Sequence, residues 1–186
     1  MFELSLHILD LAQNSISAGA TLVTIEIAIG RLPGLLVIAL IDDGCGMDEA
    51  LLARVTSPFG TTRKSRKVGL GIPMFMQLAE LCGGGLTLES TPGLGTRLVA
   101  RFELNSIDLP PMGDLSATMR SLILGAPDRP DFVLDYRVGE HAFRFDTREI
   151  RQALDGVALN EPAVLSWIGE YIAEGLGAAD EAARRK

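Results

Sequence analysis

A basic segment lies in the middle of an acidic chain. Four positive charges fall within five positions, at Arg63, Lys64, Arg66 and Lys67, whereas the 186-residue chain has a formal net charge of −7. The sequence VGLG follows at once. Basic side chains bind phosphate oxygens, and a glycine-rich turn lets backbone N–H groups approach an anion. The pattern therefore predicts a local site for a polyanion such as a polyphosphate.

Two common phosphate-binding motifs do not account for this segment. A P-loop requires G-x-x-x-x-G-K-[ST] after a strand, and here the glycines follow the lysines. A Rossmann fingerprint requires G-x-G-x-x-G, and no strand-to-helix turn of this sequence carries it. The basic segment therefore belongs to neither of these nucleotide-binding folds.

Other residues that could take part in binding or catalysis precede the basic segment. Asp10 and Asn14 are one turn apart on a predicted helix and share a face. Asp42 ends a continuously apolar strand, and an ionised carboxylate there accepts hydrogen bonds only. The turn DDGCGM that begins at this residue contains two glycines, which allow positive φ angles and a close backbone approach to a ligand.

Taken together, four short motifs resemble the N, G1, F/G2 and GT boxes of the GHKL ATPase superfamily. The motifs are DLAQNSISAGAT (10–21), DDGCGM (42–47), PFGTTRK…VGLGI (58–72) and PGLGT (92–96). This superfamily comprises gyrase B-type topoisomerases, large heat-shock chaperones, sensor histidine kinases and mismatch-repair ATPases. The resemblance covers about residues 4–104, and its weight comes from the order of the four motifs.

The resemblance implies an α+β fold of the Bergerat type. This is a two-layer α/β sandwich in which helices cover one face of a mixed, mostly antiparallel sheet. We expect an ATP-binding domain over residues 1–104, a linker over 105–112 and a small C-terminal α/β extension over 113–186. The extension matches no family motif; it could pack on the core, and it could also carry a partner or a second copy of the chain.

The resemblance also assigns an adenine site. Asp42 would accept a hydrogen bond from the exocyclic amine of adenine, and Thr96 would support Asp42 directly or through water. Gly44 and Gly46 would let the backbone approach the base, while Met47 would form an apolar wall under the ring.

The phosphate end is assigned in the same way. Asn14 would ligate Mg²⁺, which bridges the phosphates, and backbone N–H groups of Gly69, Leu70 and Gly71 would meet the phosphates at a helix start. The loop before these glycines would form a lid over ATP. Its candidate nucleotide contacts are Thr62, Arg63, Lys64 and Lys67, of which Arg63 is preferred.

One departure from the family concerns the general base. Hydrolytic relatives carry a glutamate four residues before the N-box asparagine, whereas this chain has Asp10, whose side chain is one methylene shorter. Because general-base geometry is demanding, we expect slow ATP hydrolysis with Asp10 as the candidate catalytic residue. His7 is close enough in sequence to contact Asp10, although a structural role is the ordinary interpretation.

Three functions are compatible with these residues. The first is a slow Mg²⁺-dependent ATPase whose lid closure signals to a protein partner. The second is a protein kinase that acts in trans on a histidine or serine, and the third is an interaction module that senses ATP without catalysis. A self-contained sensor kinase is not expected, because only a few residues precede the first helix and a dimerisation domain would be needed there.

Periodicity and turn signals predict the elements that position these residues. Helices are expected at about 4–18, 48–55 and 72–82, and strands at 21–29, 35–41, 86–91 and 96–104. In the extension, GDLSATMRSLIL and TREIRQAL are candidate helices, and DFVLDYRV and AFRFD form a hairpin. Asn160 would cap a final amphipathic helix, whose Trp167 is expected to be buried against the core.

Composition limits the function classes. A chain that is 47% hydrophobic and 22% charged is typical of a globular protein. The longest apolar run, LLVIALI, has seven residues, whereas a membrane span needs roughly 20. The first residues contain an acid and no basic region, so we expect no secretory signal and no membrane association.

The charge and the cysteines complete these expectations. The acidic balance argues against nucleic-acid binding. The resemblance implies ATP or ADP as ligand and an unidentified protein partner, and a second copy of the chain is a further expected partner. Cys45 and Cys82 form no CxxC pattern, so we expect two reduced thiols in a cytoplasmic protein rather than a disulfide or a zinc site. Cys45 would be a small buried residue of the nucleotide pocket.

Overall fold

The computed structural model describes residues 3–30, 34–56 and 70–185. Six strands are present in this part of the chain: β1 (Leu22–Gly30), β2 (Leu35–Asp42), β3 (Gly85–Thr91), β4 (Gly95–Glu103), β5 (Asp131–Val138) and β6 (His141–Asp146). The helices are α1 (Leu4–Ser17), α2 (Glu49–Val55), α3 (Gly71–Leu81), α4 (Leu115–Gly125), α5 (Thr147–Leu154) and α6 (Pro162–Arg184). Each predicted element is present, with ends shifted by a residue or two, apart from the end of α6, which continues to Arg184.

The six strands form one sheet in the order β3-β4-β2-β1-β5-β6. Four of the neighbouring pairs are antiparallel, and β1 with β5 is the parallel pair. The predicted α+β fold with a mixed, mostly antiparallel sheet is therefore confirmed.

The sheet buries one face under four helices. Along β1, Val23, Ile25 and Ile27 are buried, whereas the alternate residue Glu26 is exposed on the other face. Helices α1, α3, α4 and α6 supply the apolar side chains that pack against the buried face. Phe75 of α3 and Phe102 of β4 form one such contact, with ring centroids 5.4 Å apart.

The C-terminal residues complete this sheet and its core. Strand β5 lies beside β1, and Leu134, which is fully buried, pairs with Ile25. Helix α4 contacts α1, and α6 contacts both α4 and β6. The residues predicted as an extension therefore pack on the core.

The segment predicted as a linker caps the first helix. The N–H groups in the first turn of a helix have no partner within the helix, and Glu3 at the N-cap of α1 makes no side-chain cap. The carbonyl oxygens of Pro111 and Met112 accept from the N–H groups of Leu4 and Ser5 at 3.0 and 2.8 Å. This segment therefore fixes the start of the helix that carries Asp10 and Asn14.

Two helix starts test the predicted capping. The Asp48 carboxylate accepts a hydrogen bond from the Leu51 N–H at 2.7 Å, as predicted for α2. Helix α6 begins one residue later than predicted, since Glu161 is the N-cap and Pro162 takes the first turn, where a missing N–H is harmless.

No helix in the described ranges combines the length and the apolar character that a membrane crossing requires.

The position of β5 generates a stability prediction. We expect Leu134→Ala to lower the free energy of unfolding by about 2–5 kcal/mol, because it leaves a cavity between the sheet and its helices. Since the core is shared, the whole chain should unfold in one transition shifted to lower denaturant, as followed by circular dichroism. The control Arg137→Ala changes an exposed residue of the same strand. Two separate transitions, with only one of them shifted, would contradict a shared core.

Candidate functional site

A cavity of about 330 Å³ lies between α1, α2 and the sheet. Most of its lining is apolar, and its polar side chains include those of Asn14, Ser15, Asp42 and Thr96. The apolar part is formed by Leu11, Leu40, Met47, Leu51, Val55, Ile72, Leu88 and Leu98. Small-molecule sites commonly have this combination of an apolar wall and a few converging polar groups.

Asp42 is the buried charged group of the cavity, with a side chain only 8% exposed. The Ser15 hydroxyl donates to one carboxylate oxygen at 2.6 Å, and the Gly44 N–H donates to the other at 2.9 Å. A buried carboxylate requires such partners to offset its lost hydration. Because two oxygens offer about four acceptor positions, Asp42 keeps capacity to accept from a ligand.

The turn after β2 packs directly on the β3–β4 hairpin. Gly46 has a φ of 65°, and a Cβ at this position would collide with the carbonyl oxygen of Thr91. The Met47 N–H donates to the Ser90 hydroxyl at 2.8 Å, and the Gly93 N–H donates to the Cys45 carbonyl at 2.8 Å. The hairpin therefore holds the turn in the shape that lines the cavity.

Thr96 lies opposite Asp42 in the register between β2 and β4. Its hydroxyl is hydrogen-bonded to the Ser90 hydroxyl at 3.0 Å. The Ser15 hydroxyl donates directly to Asp42, and the support predicted from Thr96, directly or through water, stays a prediction. Thr96 thus joins the cavity wall to the hydrogen bonds that hold the turn.

The neighbouring carboxylate, Asp43, ties the turn to the start of β1. Its oxygens accept from the N–H groups of Thr21 and Leu22 at 2.7 and 2.9 Å, and the Thr21 hydroxyl also donates to it. Partial burial opposes ionisation, but these donors outweigh it and hold the pKa of Asp43 below its ordinary value. Asp43 therefore stays ionised at neutral pH and fixes the far side of the turn.

The other end of the cavity brings two elements together. Asp10 and Asn14 are exposed on α1, and both lie beside the first residue of α3. A Cβ built on Gly71 would be 3.7 Å from the Asp10 Cβ and 3.9 Å from the Asn14 Nδ2. Leu70, at the N-cap, makes no side-chain hydrogen bond to the first turn of α3. The helix start and the two polar side chains thus converge on one place.

His7 lies one turn before Asp10 on α1. Its ring is 5.4 Å from the Phe75 ring. Burial lowers the pKa of His7, while the charge of Asp10 opposes the shift, so the imidazole is neutral near pH 7. This packing against α3 agrees with a structural role.

The predicted site residues that the structure describes lie together around the cavity. Those that line it are Asn14, Asp42, Gly46, Met47 and Thr96. Gly44 lies beside Asp42, Gly71 lies beside Asp10 and Asn14, and Leu70 directly precedes Gly71. The remaining predicted residues, Thr62, Arg63, Lys64, Lys67 and Gly69, lie outside the described residues.

The sequence interpretation missed two residues and misjudged one. Ser15 was not among the predicted site residues, although a hydroxyl on the apolar face of a helix needs a partner and so signals a polar contact. Ser90 carried no signal in the sequence. Cys45 lines the cavity but is exposed, so the expectation of a buried residue was wrong. The Cys45 N–H donates to the Ala18 carbonyl at 2.9 Å, which ties the backbone of the turn to the end of α1.

Comparison with known proteins identifies the family. Residues 3–106 match the family of histidine kinase-, DNA gyrase B- and HSP90-like ATPases. The chain belongs to this family. The ATP-binding domain predicted from the four motifs is therefore confirmed at the level of the family.

Individual relatives are similar over the same part of the chain. A sensor protein of Shewanella frigidimarina (strain NCIMB 400) is 31% identical over 105 residues, which are 54% of this chain and 16% of that protein. The sensor protein TorS of Escherichia coli (strain K12) is 37% identical over 70 residues, which are 37% of this chain and 8% of TorS. The chain thus spans only a small part of these relatives.

Among solved structures, the ATPase domain of Aquifex aeolicus MutL complexed with ADP aligns with a TM-score of 0.46 at 15% identity. The alignment covers 80% of this chain and 67% of that chain.

The hydrogen bond from Ser15 generates a binding prediction. We expect Ser15→Ala to weaken ATP binding about tenfold to a hundredfold, because a buried carboxylate loses a donor worth about 1.5–3 kcal/mol. Isothermal titration with ATP measures the effect. Ser121→Ala is the matched control, since that hydroxyl is exposed and bonds only within its own helix. If the wild type and Ser15→Ala bind ATP with equal affinity, the hydrogen bond from Ser15 to Asp42 does not support binding of the adenine base.

Proposed function

We propose that this protein is a Mg²⁺-dependent ATP-binding protein that hydrolyses ATP slowly. The observation that carries the proposal is the convergence of Asp10, Asn14 and the start of α3 at one end of the cavity that contains Asp42. The end at Asp42 thus offers a hydrogen-bond acceptor for a nucleotide base. The end at Asn14 and the start of α3 offers groups that would bind phosphates and a metal ion.

The base end suits adenine. Adenine presents an exocyclic amine, and Asp42 retains acceptor positions beyond those used by Ser15 and Gly44. The apolar walls include Met47 and Leu98, which would contact the faces of a flat ring. A guanine base presents a carbonyl oxygen in place of this amine and would leave two acceptors facing each other, so we expect ATP to bind more tightly than GTP.

The phosphate end combines a helix start with polar side chains. Gly71 and Ile72 supply N–H groups in the first turn of α3, and the turn has no side-chain cap to compete for them. The partial positive charge at a helix N-terminus adds to this attraction for an anion. The basic residues of the preceding segment would supply further charge, as the sequence indicates.

A magnesium ion fits the donor set at this end. Mg²⁺ prefers oxygen ligands and is commonly held by few protein groups together with phosphate oxygens and water. Asn14 offers an amide oxygen on an exposed side chain beside Gly71, and it is the residue we assign to the ion. When bound, the ion would neutralise charge on the phosphates.

Asp10 is the residue we propose as general base. Its exposed carboxylate lies one turn from Asn14 and beside Gly71, where it would accept a proton from a water that attacks the terminal phosphate. The aspartate side chain reaches less far than the glutamate of the hydrolytic relatives. Because small errors of position reduce proton transfer strongly, slow turnover is the expected result.

A second candidate function is phosphate transfer to another protein. The relatives reported above are sensor proteins, which favours this possibility. In either case, we propose that closure of the basic segment over ATP signals the nucleotide state to a protein partner. Radiolabel from the γ-phosphate distinguishes the two reactions, since hydrolysis yields labelled inorganic phosphate and transfer yields a labelled protein.

The proposed base generates a kinetic prediction. We expect Asp10→Asn to reduce phosphate release about a hundredfold or more while ATP binding changes little, because the amide keeps its size but cannot accept the proton. Phosphate release over hours and isothermal titration measure the two properties. Asp128→Asn is the control, since this aspartate is exposed and is not among the residues that line the cavity. Unchanged hydrolysis in Asp10→Asn would exclude Asp10 as the base.

The basic segment generates a separate affinity prediction. We expect Arg63→Ala to weaken binding of ATP about tenfold and to leave binding of adenosine unchanged, because the lost contact is to phosphate. Titrations with the two ligands give the comparison, and Arg137→Ala provides a control of the same charge on the sheet. An equal loss for both ligands would argue against a phosphate contact by Arg63.

A further inference from the structure

Three polar side chains line the cavity around its base end: Ser15, Asp42 and Thr96. Two of them are hydroxyls, and a hydroxyl has one hydrogen to donate and two lone pairs that accept. The Ser15 hydroxyl donates its hydrogen to the Asp42 carboxylate at 2.6 Å. Because an ionised carboxylate only accepts, Ser15 and Asp42 both present lone pairs, and no hydrogen, to a base.

The hydrogen of Thr96 depends on Ser90, its neighbour on β3. Ser90 pairs with Thr96 in the register between β3 and β4, and their hydroxyl oxygens are 3.0 Å apart. The Ser90 oxygen has two further partners. The Met47 N–H, which only donates, is 2.8 Å away, and the carbonyl oxygen of buried Gly95, which only accepts, is 3.0 Å away.

One arrangement of hydrogens satisfies all three contacts of Ser90. Its single hydrogen goes to the Gly95 carbonyl, one lone pair accepts from the Met47 N–H, and the other accepts from the Thr96 hydroxyl. In the opposite arrangement Ser90 would donate to Thr96, and the buried Gly95 carbonyl would lose this donor at a cost in free energy. Thr96 therefore donates to Ser90 and keeps its lone pairs for the cavity.

We propose that Ser90 is a positioning residue that sets the base specificity of this site. It holds the Thr96 hydrogen away from the cavity, so that Ser15, Asp42 and Thr96 all meet the base as acceptors. Ser90 itself is not among the described residues that line the cavity, so it acts through Thr96. The inference rests on the proposed function, because it concerns the base of the ATP that this cavity is proposed to bind.

An exocyclic amine fits two acceptors on neighbouring strands. Asp42 and Thr96 are direct partners in the register between β2 and β4, and both line the cavity. Side chains of such partners have Cβ atoms about 4.5–5.5 Å apart. With hydrogen bonds of about 2.9 Å, the two hydrogens of one amine reach acceptors about 5 Å apart. The amine of adenine thus has one hydrogen for Asp42 and one for Thr96.

The same acceptors reject a base that has a carbonyl oxygen in place of the amine. Hypoxanthine, the base of inosine triphosphate (ITP), makes this replacement and carries a hydrogen on the adjacent ring nitrogen. Its carbonyl oxygen would face the lone pairs of Asp42 and Thr96, which is unfavourable. If Thr96 turned its hydrogen into the cavity, it would donate to this oxygen and part of the discrimination would be lost. Ser90 prevents that turn.

Ser90 also has a structural role, and the two roles affect binding differently. Removal of its hydroxyl leaves the Met47 N–H without this acceptor, which loosens the turn for every nucleotide alike. Removal also frees the Thr96 hydrogen, which favours ITP relative to ATP. The ratio of the two affinities therefore separates the positioning role from the structural one.

Competition titrations of the full chain with ATP and ITP test the proposal. We expect the wild type to bind ATP at least about tenfold more tightly than ITP. Ser90→Ala should reduce this ratio by about threefold to tenfold, because the freed Thr96 hydroxyl gains one hydrogen bond to ITP. Ser90→Thr keeps a hydroxyl and should keep the ratio. A wild-type ratio in Ser90→Ala overturns the proposal.

Thr96→Val tests whether Ser90 acts through Thr96, since valine has nearly the shape of threonine without its hydroxyl. This variant loses the acceptor for the amine, so we expect the ATP-to-ITP ratio to fall by a similar factor. In the Thr96→Val background, Ser90→Ala should leave the ratio unchanged. A raised ratio in Thr96→Val, or a further fall in the double variant, overturns the proposal.

Gly93→Ala is the control for a loosened turn. Gly93 has a φ of 77° and donates its N–H to the Cys45 carbonyl, so alanine strains the turn and leaves both hydroxyls in place. It should weaken binding of ATP and ITP by the same factor. If Gly93→Ala lowers the ratio as much as Ser90→Ala does, the loosened turn explains the effect and the proposal is wrong.

Failure of this proposal differs from failure of the proposed function. A wild type that binds ATP and ITP equally has no adenine site of the proposed kind, and the role of Ser90 fails with it. A wild type that prefers ATP, with a preference that survives Ser90→Ala, overturns the role of Ser90 alone. Circular dichroism verifies that each variant is folded.

Discussion

A buried carboxylate at the end of a central strand is the constraint on which the site depends. Asp42 is largely buried, and the Ser15 hydroxyl and the Gly44 N–H, which donate to it, offset the hydration that its carboxylate has lost. One donor comes from a helix and the other from the turn that follows the strand. Helix, strand and turn must therefore be correctly placed at the same time, and small displacements of any of them leave a buried charge without a partner.

The rest of the fold provides this placement from two directions. The β3–β4 hairpin holds the turn through the Ser90 hydroxyl and through the close approach at Gly46. The carbonyls of Pro111 and Met112 hold the start of α1, so the helix cannot slide along the sheet without losing them. Both ends of the cavity are thus determined by hydrogen bonds to backbone groups, which vary less in position than side chains do. A nucleotide site needs its acceptor for the base, here Asp42, at a fixed distance from the helix start that binds the phosphates.

Local signals explain how much could be predicted from the sequence. Alternating apolar residues gave the strands, Asp48 gave a helix cap, and four glycine-containing motifs gave the family and the cavity residues. Contacts between distant segments carried no comparable signal: the Ser15–Asp42 bond joins residues 27 positions apart, and the parallel pairing of β1 with β5 joins still more distant ones. Trp167 is 47% exposed, so the expectation that it is buried against the core was wrong. The reason is the same, because a helical stripe identifies an apolar face without identifying its neighbour.

The parallel β1–β5 pair also has a consequence for the order of synthesis. Leu22 pairs with Asp131, so the central strand β1 lacks one neighbour until most of the chain has left the ribosome. All four motifs are translated before that point, yet the helix that bears two of the site residues is capped by Pro111 and Met112 and packed by α4. Domains are made at about 5–20 residues per second, so the motif-bearing part waits several seconds for its last strands. During this interval the buried face of β1 is still exposed to solvent. The nascent chain then contains the four motifs, but the elements that hold the site residues in place are not yet complete.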